Sequence, residues 1–338
     1  MDVLGILSST ASFVLDPTTM AYALAGLGLA IHFGFAGLLN MGMAGFMALG
    51  AYGYAIGILT FGLPWYLAAF VGIGASIIFS LILGIPTLRL RGDYLAIVTI
   101  AAAEIIRLLL LTSAFTDVTG SADGLSGFNG PGGTVTNPIP GAGGFNDSNP
   151  IPQGQYGFEP FLDNERTWYL RLVGFLILLA SVYVVYRLVN SPWGRVIKGI
   201  REDEEAVRSL GKNVFAYKMQ ALIIGGVFGA LGGLMLAFST NVNSGVYVTS
   251  LTFFLWTALL LGGAATVFGP LVGSVIFWVL QAFLGLLFPA LAKAGLLPFS
   301  SIQAAQIRFI LIGVVLVLLV VFRPQGIFGN KKELTFVK

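Results

Sequence analysis

The sequence predicts an all-α membrane protein, a polytopic helical bundle of about nine or ten spans. Three observations lead there. Of 338 residues, 57% are hydrophobic and only 10% are charged, too little polar side chain to cover a water-facing globule. Several apolar runs reach the length of about 20 residues that a helix needs to cross roughly 30 Å of hydrocarbon. Forty-five glycines would weaken soluble helices, but in lipid small residues let helix backbones approach closely. The mean hydropathy of +0.89 agrees.

The opening segment, MDVLGILSSTASFVLD, carries Asp2 and Asp16 and no basic leader region, so it reads as mature chain, either an interfacial helix or a tenth span. Apolar segments follow at 20–38, 41–59, 65–87, 94–115, 168–189, 218–239, 251–264, 269–289 and 306–322. Only helices or closed barrels satisfy every backbone group in lipid, and runs this long without alternation of period two are helical. The whole chain, 1–338, reads as a single transmembrane domain.

Lysine and arginine mark the cytoplasmic side of short loops. Arg89 and Arg91 share one loop, residues 187–218 hold seven basic side chains, and the tail carries Arg323, Lys331, Lys332 and Lys338. With nine spans all three regions fall on one side, which places the N-terminus outside. The segment 116–166 then lies outside as well. It carries six acidic residues, Asp117, Asp123, Asp147, Glu159, Asp163 and Glu165, against the single Arg166, and its Gly, Pro, Asn and Ser content reads as irregular loop.

Within the spans, Glu104 and Arg107 are spaced to share one helical face and pair. An ionisable residue at membrane depth is costly, so the pair is either a neutralised packing element or a coupling site in a pathway. His32, the only histidine, has no clustered carboxylate or cysteine to make a metal site, and is a packed or pathway-facing polar residue. Asn40, Gln281, Gln303 and Gln306 are open to two readings, since amides within a bundle often hydrogen-bond between helices and can equally be pathway groups.

Chemistry is conspicuous by exclusion. There is no cysteine, which removes disulfides and thiolate catalysis. Gly211-Lys212 is followed by Asn213, so no nucleotide-binding P-loop forms, and neither a zinc-protease motif nor a serine-hydrolase motif occurs. The net charge of +3 is too small and too local for nucleic acid. No cofactor is expected in this chain, and the function classes left are transporter, channel and receptor.

Residues 190–217 form a charged loop between spans. Ser191-Pro192 ends the preceding span, Trp193 suits the interface, and an amphipathic helix runs over 195–211, closed by Gly211. The acidic run Glu202 to Glu205 opposes adsorption on an anionic leaflet, so a protein partner accounts for the mixed charge better than lipid does.

Glu205-Ala206-Val207-Arg208-Ser209-Leu210-Gly211 resembles the EAA-x-x-x-G loop through which ABC importer permeases dock their ATPases. Five further motifs resemble the LivM-type branched-chain amino acid permeases: Gly37-Leu38-Leu39-Asn40-Met41-Gly42, the run from Arg91 to Thr99, Thr119 to Leu125, Leu261 to Pro270, and Arg323 to Gly329. Met43, Ala122 and the long 128–158 insertion depart from the family pattern. The resemblance implies the permease architecture of an ATP-driven importer. It implies a second, LivH-like permease, two cytoplasmic ATPase subunits that use the ATP, an extracytoplasmic substrate-binding protein, and the lipid of a prokaryotic cell membrane. Arg195, Arg201, Glu205, Ala206, Arg208 and Gly211 become candidate ATPase-coupling residues, and His32, Asn40, Glu104 and Arg107 candidate polar residues of the pathway or membrane interior. Branched-chain amino acids are the implied cargo; the same architecture also serves urea, amides and other amino acids, and a stand-alone secondary transporter is the alternative class.

Overall fold

A computed structural model describes residues 3–89, 92–129, 144–151, 155–157, 163–295, 300–322 and 325–329. Arg91, Glu159, Arg323, Lys331, Lys332 and Lys338, on which part of the charge and motif reading falls, lie outside the described residues. The chain is all-α as expected: α1 Val3–Ser12, α2 Pro17–Leu29, α3 Met43–Leu59, α4 Trp65–Thr87, α5 Gly92–Leu111, a single turn α6 Thr116–Thr119, and α7 Glu165–Val189. These are followed by α8 Pro192–Glu202, α9 Glu204–Ser209, α10 Val214–Ser239, α11 Thr249–Gly262, α12 Gly269–Lys293 and α13 Ser301–Phe322. The only strands among the described residues are a ribbon of two residues each, Gln155–Tyr156 against Asp163–Asn164.

Among the described residues, six helices are long and apolar enough to cross a membrane: 17–35, 65–87, 94–111, 168–189, 214–239 and 269–293. The segment expected as a span over 251–264 is a helix of 14 residues, about 21 Å at the usual rise. It stops where Gly263 takes φ +118. There the backbone turns to receive the tail, with Ile327 N–H donating to Leu261 O at 3.0 Å and Phe328 N–H to Gly262 O at 3.1 Å.

The centre of the molecule is the crossing of α2, which is almost wholly buried, with α10, most of which is buried. Asp16 caps α2, accepting from Thr18 N–H at 2.8 Å, and Pro17 takes the first position, where a missing N–H costs nothing. Asn213 caps α10 in the same way, from Ala216 N–H at 3.1 Å. Where the two helices cross, a methyl on Gly28 would lie 2.3 Å from Gly225 O, so their backbones are in contact. The same close approach joins α3 to α10, since a methyl on Gly50 would lie 2.3 Å from Ala230 O. This is the use of glycine that the composition implied. By contrast α5 turns Tyr94, Ile97, Ile105, Leu108 and Leu109 outward.

The described residues of the segment 116–166 are anchored to the bundle. Phe145 is buried and stacks on Phe238 of α10 at 4.4 Å and 13°, with Tyr169 stacked on its ring at 4.8 Å. Tyr54 O–H donates to Asn129 Oδ1 at 2.9 Å and accepts from Phe145 N–H at 3.1 Å. Across the bundle Arg89 lines one cavity with Arg208, Lys212 and Lys218, so basic loops far apart in sequence meet at one end.

Candidate functional site

The loop expected as one helix over 195–211 is two. Ser191 caps α8, its hydroxyl accepting from Gly194 N–H at 3.4 Å, and Pro192 starts the helix rather than merely ending α7. Asp203 then adopts extended geometry, φ −152 and ψ 101, which breaks the helix. Its carboxylate accepts from Ala206 N–H at 3.0 Å and so caps α9. Gly211 closes α9 with φ +75, and its N–H donates to Arg208 O at 2.9 Å. A side chain there would meet nothing within 4 Å; the backbone itself calls for glycine.

The acidic run divides into distinct tasks. Glu202 lies 3.6 Å from Arg201, and Asp203 is the cap. Glu204 accepts from Arg208 Nη2 at 2.8 Å and from Lys218 Nζ, which ties α9 to the first turn of α10. Glu205 is exposed and has no ion-pair partner among the described residues. Arg195, Ala206, Arg208 and Gly211 are exposed too. Beside them Leu210 is 79% exposed, an apolar side chain standing at the tip of a charged surface.

Arg201 does not join this surface. Its side chain is only 6% exposed and reaches inward, Nη1 donating to Gly34 O at 2.5 Å. The receiving carbonyl belongs to a π-helical turn, Ala30–Phe35, that ends α2. Such turns leave backbone carbonyls short of donors, and a cation at a helix C-terminus is favourable. Gly37, at φ +69, sits directly against Arg201, where a methyl would come within 3.1 Å of its Cγ.

The same π turn carries His32, which is completely buried. Asn40 Nδ2 donates to His32 Nδ1 at 3.0 Å, so the ring proton is on Nε2, which donates to Leu222 O of α10 at 3.0 Å. Asn40 is itself fully used: Oδ1 accepts from Gly42 N–H at 2.8 Å, and its backbone carbonyl accepts from Trp256 Nε1 at 3.2 Å. Two threonines complete the junction, Thr99 accepting from Met41 N–H and Thr252 from Ala44 N–H, each at 3.0 Å. Segments 37–42, 91–99 and 261–270, which the sequence singled out separately, thus meet here. Gly34 itself lies against the last of them, since a methyl on it would fall 1.8 Å from Ala264 O.

Glu104 and Arg107 do pair, with Arg107 Nε donating to both carboxylate oxygens at 3.0 Å and Nη2 to Oε1 at 2.5 Å. They lie on α5, the helix that also brings Thr99 to the His32 junction, and remain 37% and 19% exposed respectively. Gln303 caps α13 in a reciprocal box with Ser300, its Oε1 accepting from Ser300 N–H at 3.1 Å. Gln306 is exposed. Gln281 Oε1 is buried without a hydrogen-bond partner, as are Ser274 Oγ and Trp278 Nε1 on the same stripe of α12. Among the described residues no three His, Cys, Asp or Glu side chains gather into a metal site. A cavity of about 890 Å³ opens beside α9, lined by Arg89, Glu204, Glu205, Lys212 and Phe215 among others.

The family described as branched-chain amino acid transport system permease component matches residues 17–320. The chain is 32% identical over 322 residues to the high-affinity branched-chain amino acid transport system permease protein LivM of Salmonella typhimurium, covering 91% of this chain and 68% of the relative. It is 25% identical over 349 residues to the probable branched-chain amino acid transport permease protein LivM of Methanocaldococcus jannaschii, 93% of this chain and 92% of the other. A nucleoside ABC transporter permease protein, NupC of Lactococcus lactis subsp. cremoris, is 24% identical over 313 residues, 86% of each chain. No solved structure matches.

Proposed function

This chain belongs to the branched-chain amino acid transport system permease family, and on that premise we propose that it is the membrane-spanning subunit of an ATP-driven importer of leucine, isoleucine and valine. The observation that carries the proposal is the α8–α9 unit. Its outer surface, with Arg195, Glu205, Ala206, Arg208 and Leu210 open, is built for a soluble partner. Its inner surface is rooted in the bundle by Gly194, Ile197, Ile200 and Arg201.

The partner is an ATPase, because this chain holds no P-loop of its own. Two such subunits, a second permease resembling LivH and an extracytoplasmic binding protein complete the assembly in a prokaryotic cell membrane. The α8–α9 end then faces the cytoplasm, where the positive loops belong, and residues 116–166 face the binding protein. Driving transport requires that the ATPases hold α8–α9 differently in their two nucleotide states; equal contact in both would shift nothing.

Uptake of labelled leucine, isoleucine and valine is compared in cells with and without the gene, with urea and a nucleoside as competing cargoes. Loss of branched-chain amino acid uptake alone is expected. Loss of nucleoside uptake instead would move the cargo to the second reading, which the likeness to NupC favours. A stand-alone gradient-driven carrier would need free charge in the membrane, whereas Glu104 and Arg107 are bound to each other. Accumulation by the purified chain alone in proteoliposomes, without ATPase or ATP, would refute the importer reading.

A further inference from the structure

We propose that Arg201 is the positioning residue through which displacement of the α8–α9 unit reaches the buried end of α2. The inference rests on the permease reading but assigns a task within it that the surface residues cannot perform. Glu205 and Leu210 stand exposed and can receive a partner, and Glu204 ties α9 to α10 through Lys218, but Arg201 is the side chain of the unit that reaches the end of α2. Arg201 is one residue before the end of α8, and its guanidinium closes on Gly34 O at 2.5 Å.

Three features make this contact a link and not a filler. A neutral apolar side chain would pack the same space without the cost of desolvating a cation, so the charge is present for the hydrogen bond it makes. The acceptor lies in a π turn, a local departure from helical register that recurs at functional sites because its hydrogen bonds can be rearranged. The same six-residue turn holds His32, whose ring joins Asn40 on one side and Leu222 O of α10 on the other. A pull on Gly34 O therefore acts on a group two residues from the bond between α2 and α10.

Gly28 and Gly225 bring the backbones of the two central helices into contact, and His32 of the π turn lies against the same Gly225. A displacement of the turn is therefore felt directly at the α2–α10 crossing. Gly37, with φ +69, allows the chain to leave the turn directly beside Arg201. Lys198, one helical turn earlier, lies over the Phe35 ring at 5.6 Å and guides the same end of the π turn. The apolar side chains of α8 hold the helix against the bundle, and Arg201 determines what its movement grips.

The test uses the complete importer, with both permeases, the ATPases and the loaded binding protein, reconstituted in proteoliposomes. Arg201→Ala and Arg201→Lys are compared with the unaltered assembly for ATPase association, ATP hydrolysis, uptake per ATP and thermal midpoint. In Arg201→Ala the ATPases are expected to remain bound and hydrolyse ATP, while uptake per ATP falls about tenfold, within the range typical of coupling between sites. Arg201→Lys keeps a cation that can donate to Gly34 O and is expected to recover part of that loss. A purely structural role would move the midpoint without changing uptake per ATP.

Unchanged uptake per ATP in Arg201→Ala overturns the proposal, and so does loss of ATPase binding in step with all activity, which would make Arg201 an outer contact. If Arg201→Ala does not accumulate, an Arg201→Lys assembly with full uptake per ATP supports the link, and one no better than a Gln substitution overturns it. Failure of ATP-driven uptake in the unaltered assembly would refute the permease reading itself, and both would fall together.

Discussion

Replacing Gly225 with alanine puts a methyl group where the structure has no room for one. Its Cβ would lie 2.2 Å from His32 Nε2, 2.4 Å from His32 Cδ2 and 2.6 Å from Gly28 O. The imidazole cannot swing aside cheaply, because Asn40 and Leu222 O hold its two nitrogens at 3.0 Å each. Gly28 O is backbone and cannot rotate away. Inserting a methyl into a packed core costs about 1–3 kcal/mol, and a hydrogen bond lost between membrane helices about 1 kcal/mol more. Gly74→Ala is the matched control, since a methyl there meets nothing within 4 Å; removing a glycine from a helix interior should be neutral or stabilise by up to about 1 kcal/mol. Thermal unfolding in detergent, followed by tryptophan fluorescence, is expected to place Gly225→Ala clearly below the unaltered chain and Gly74→Ala at or above it. Equal midpoints for the two variants would refute the reasoning that the α2–α10 crossing is sealed around His32.

Leu210→Asp removes an apolar side chain that is 79% exposed; stability should stay within about 0.5 kcal/mol of wild type, as for other surface changes, while co-purification of the ATPases falls sharply. Gly211→Val forces a branched residue into φ +75 and should weaken ATPase association through α9, whereas Gly211→Asn, which tolerates that geometry, should retain it; equal loss in both would mean that the partner needs the bare backbone. The chain has no cysteine, so Ile105→Cys introduces a unique thiol on the outward face of α5 next to the Glu104–Arg107 pair. A partly exposed ion pair is poorly served by lipid, and the thiol is expected to cross-link to the second permease when that subunit carries cysteines; labelling only by lipid-dissolved reagents would argue against a partner on α5.

Hydropathy made the helices legible, since a span must be long and apolar wherever it packs, and glycine content foretold how closely they lie. The inward turn of Arg201 was also written in the sequence. It follows Ile197 by four residues and Gly194 by seven, which puts it on the buried stripe of α8. Its charge drew it instead toward the partner surface. Asp203 before two glutamates is likewise an N-cap signature that would have split the loop into two helices. The π turn at Ala30–Phe35 had no comparable mark, because AIHFGF suits an ordinary apolar helix and the extra residue is accommodated by contacts with α8 and α10. Nor could the meeting of residues 37–42 with Thr99, or of Gly34 with Ala264, be read from motifs strung along the chain. Those contacts are set by the tertiary path, which local patterns do not encode.

The backbone-to-backbone crossing of α2 and α10 divides the molecule into positions that can vary and positions that cannot. At Gly28, Gly225 and Gly50 a carbonyl or a ring occupies the place of any side chain, so no substitution there can tune what the protein carries. On α4 and α5, where Ile78, Ile82, Ile97 and Ile105 face outward, a change of residue leaves that crossing untouched. On such a scaffold, variation is left to the periphery and to helices whose outer faces lie away from the crossing. The frozen centre is what makes that freedom safe.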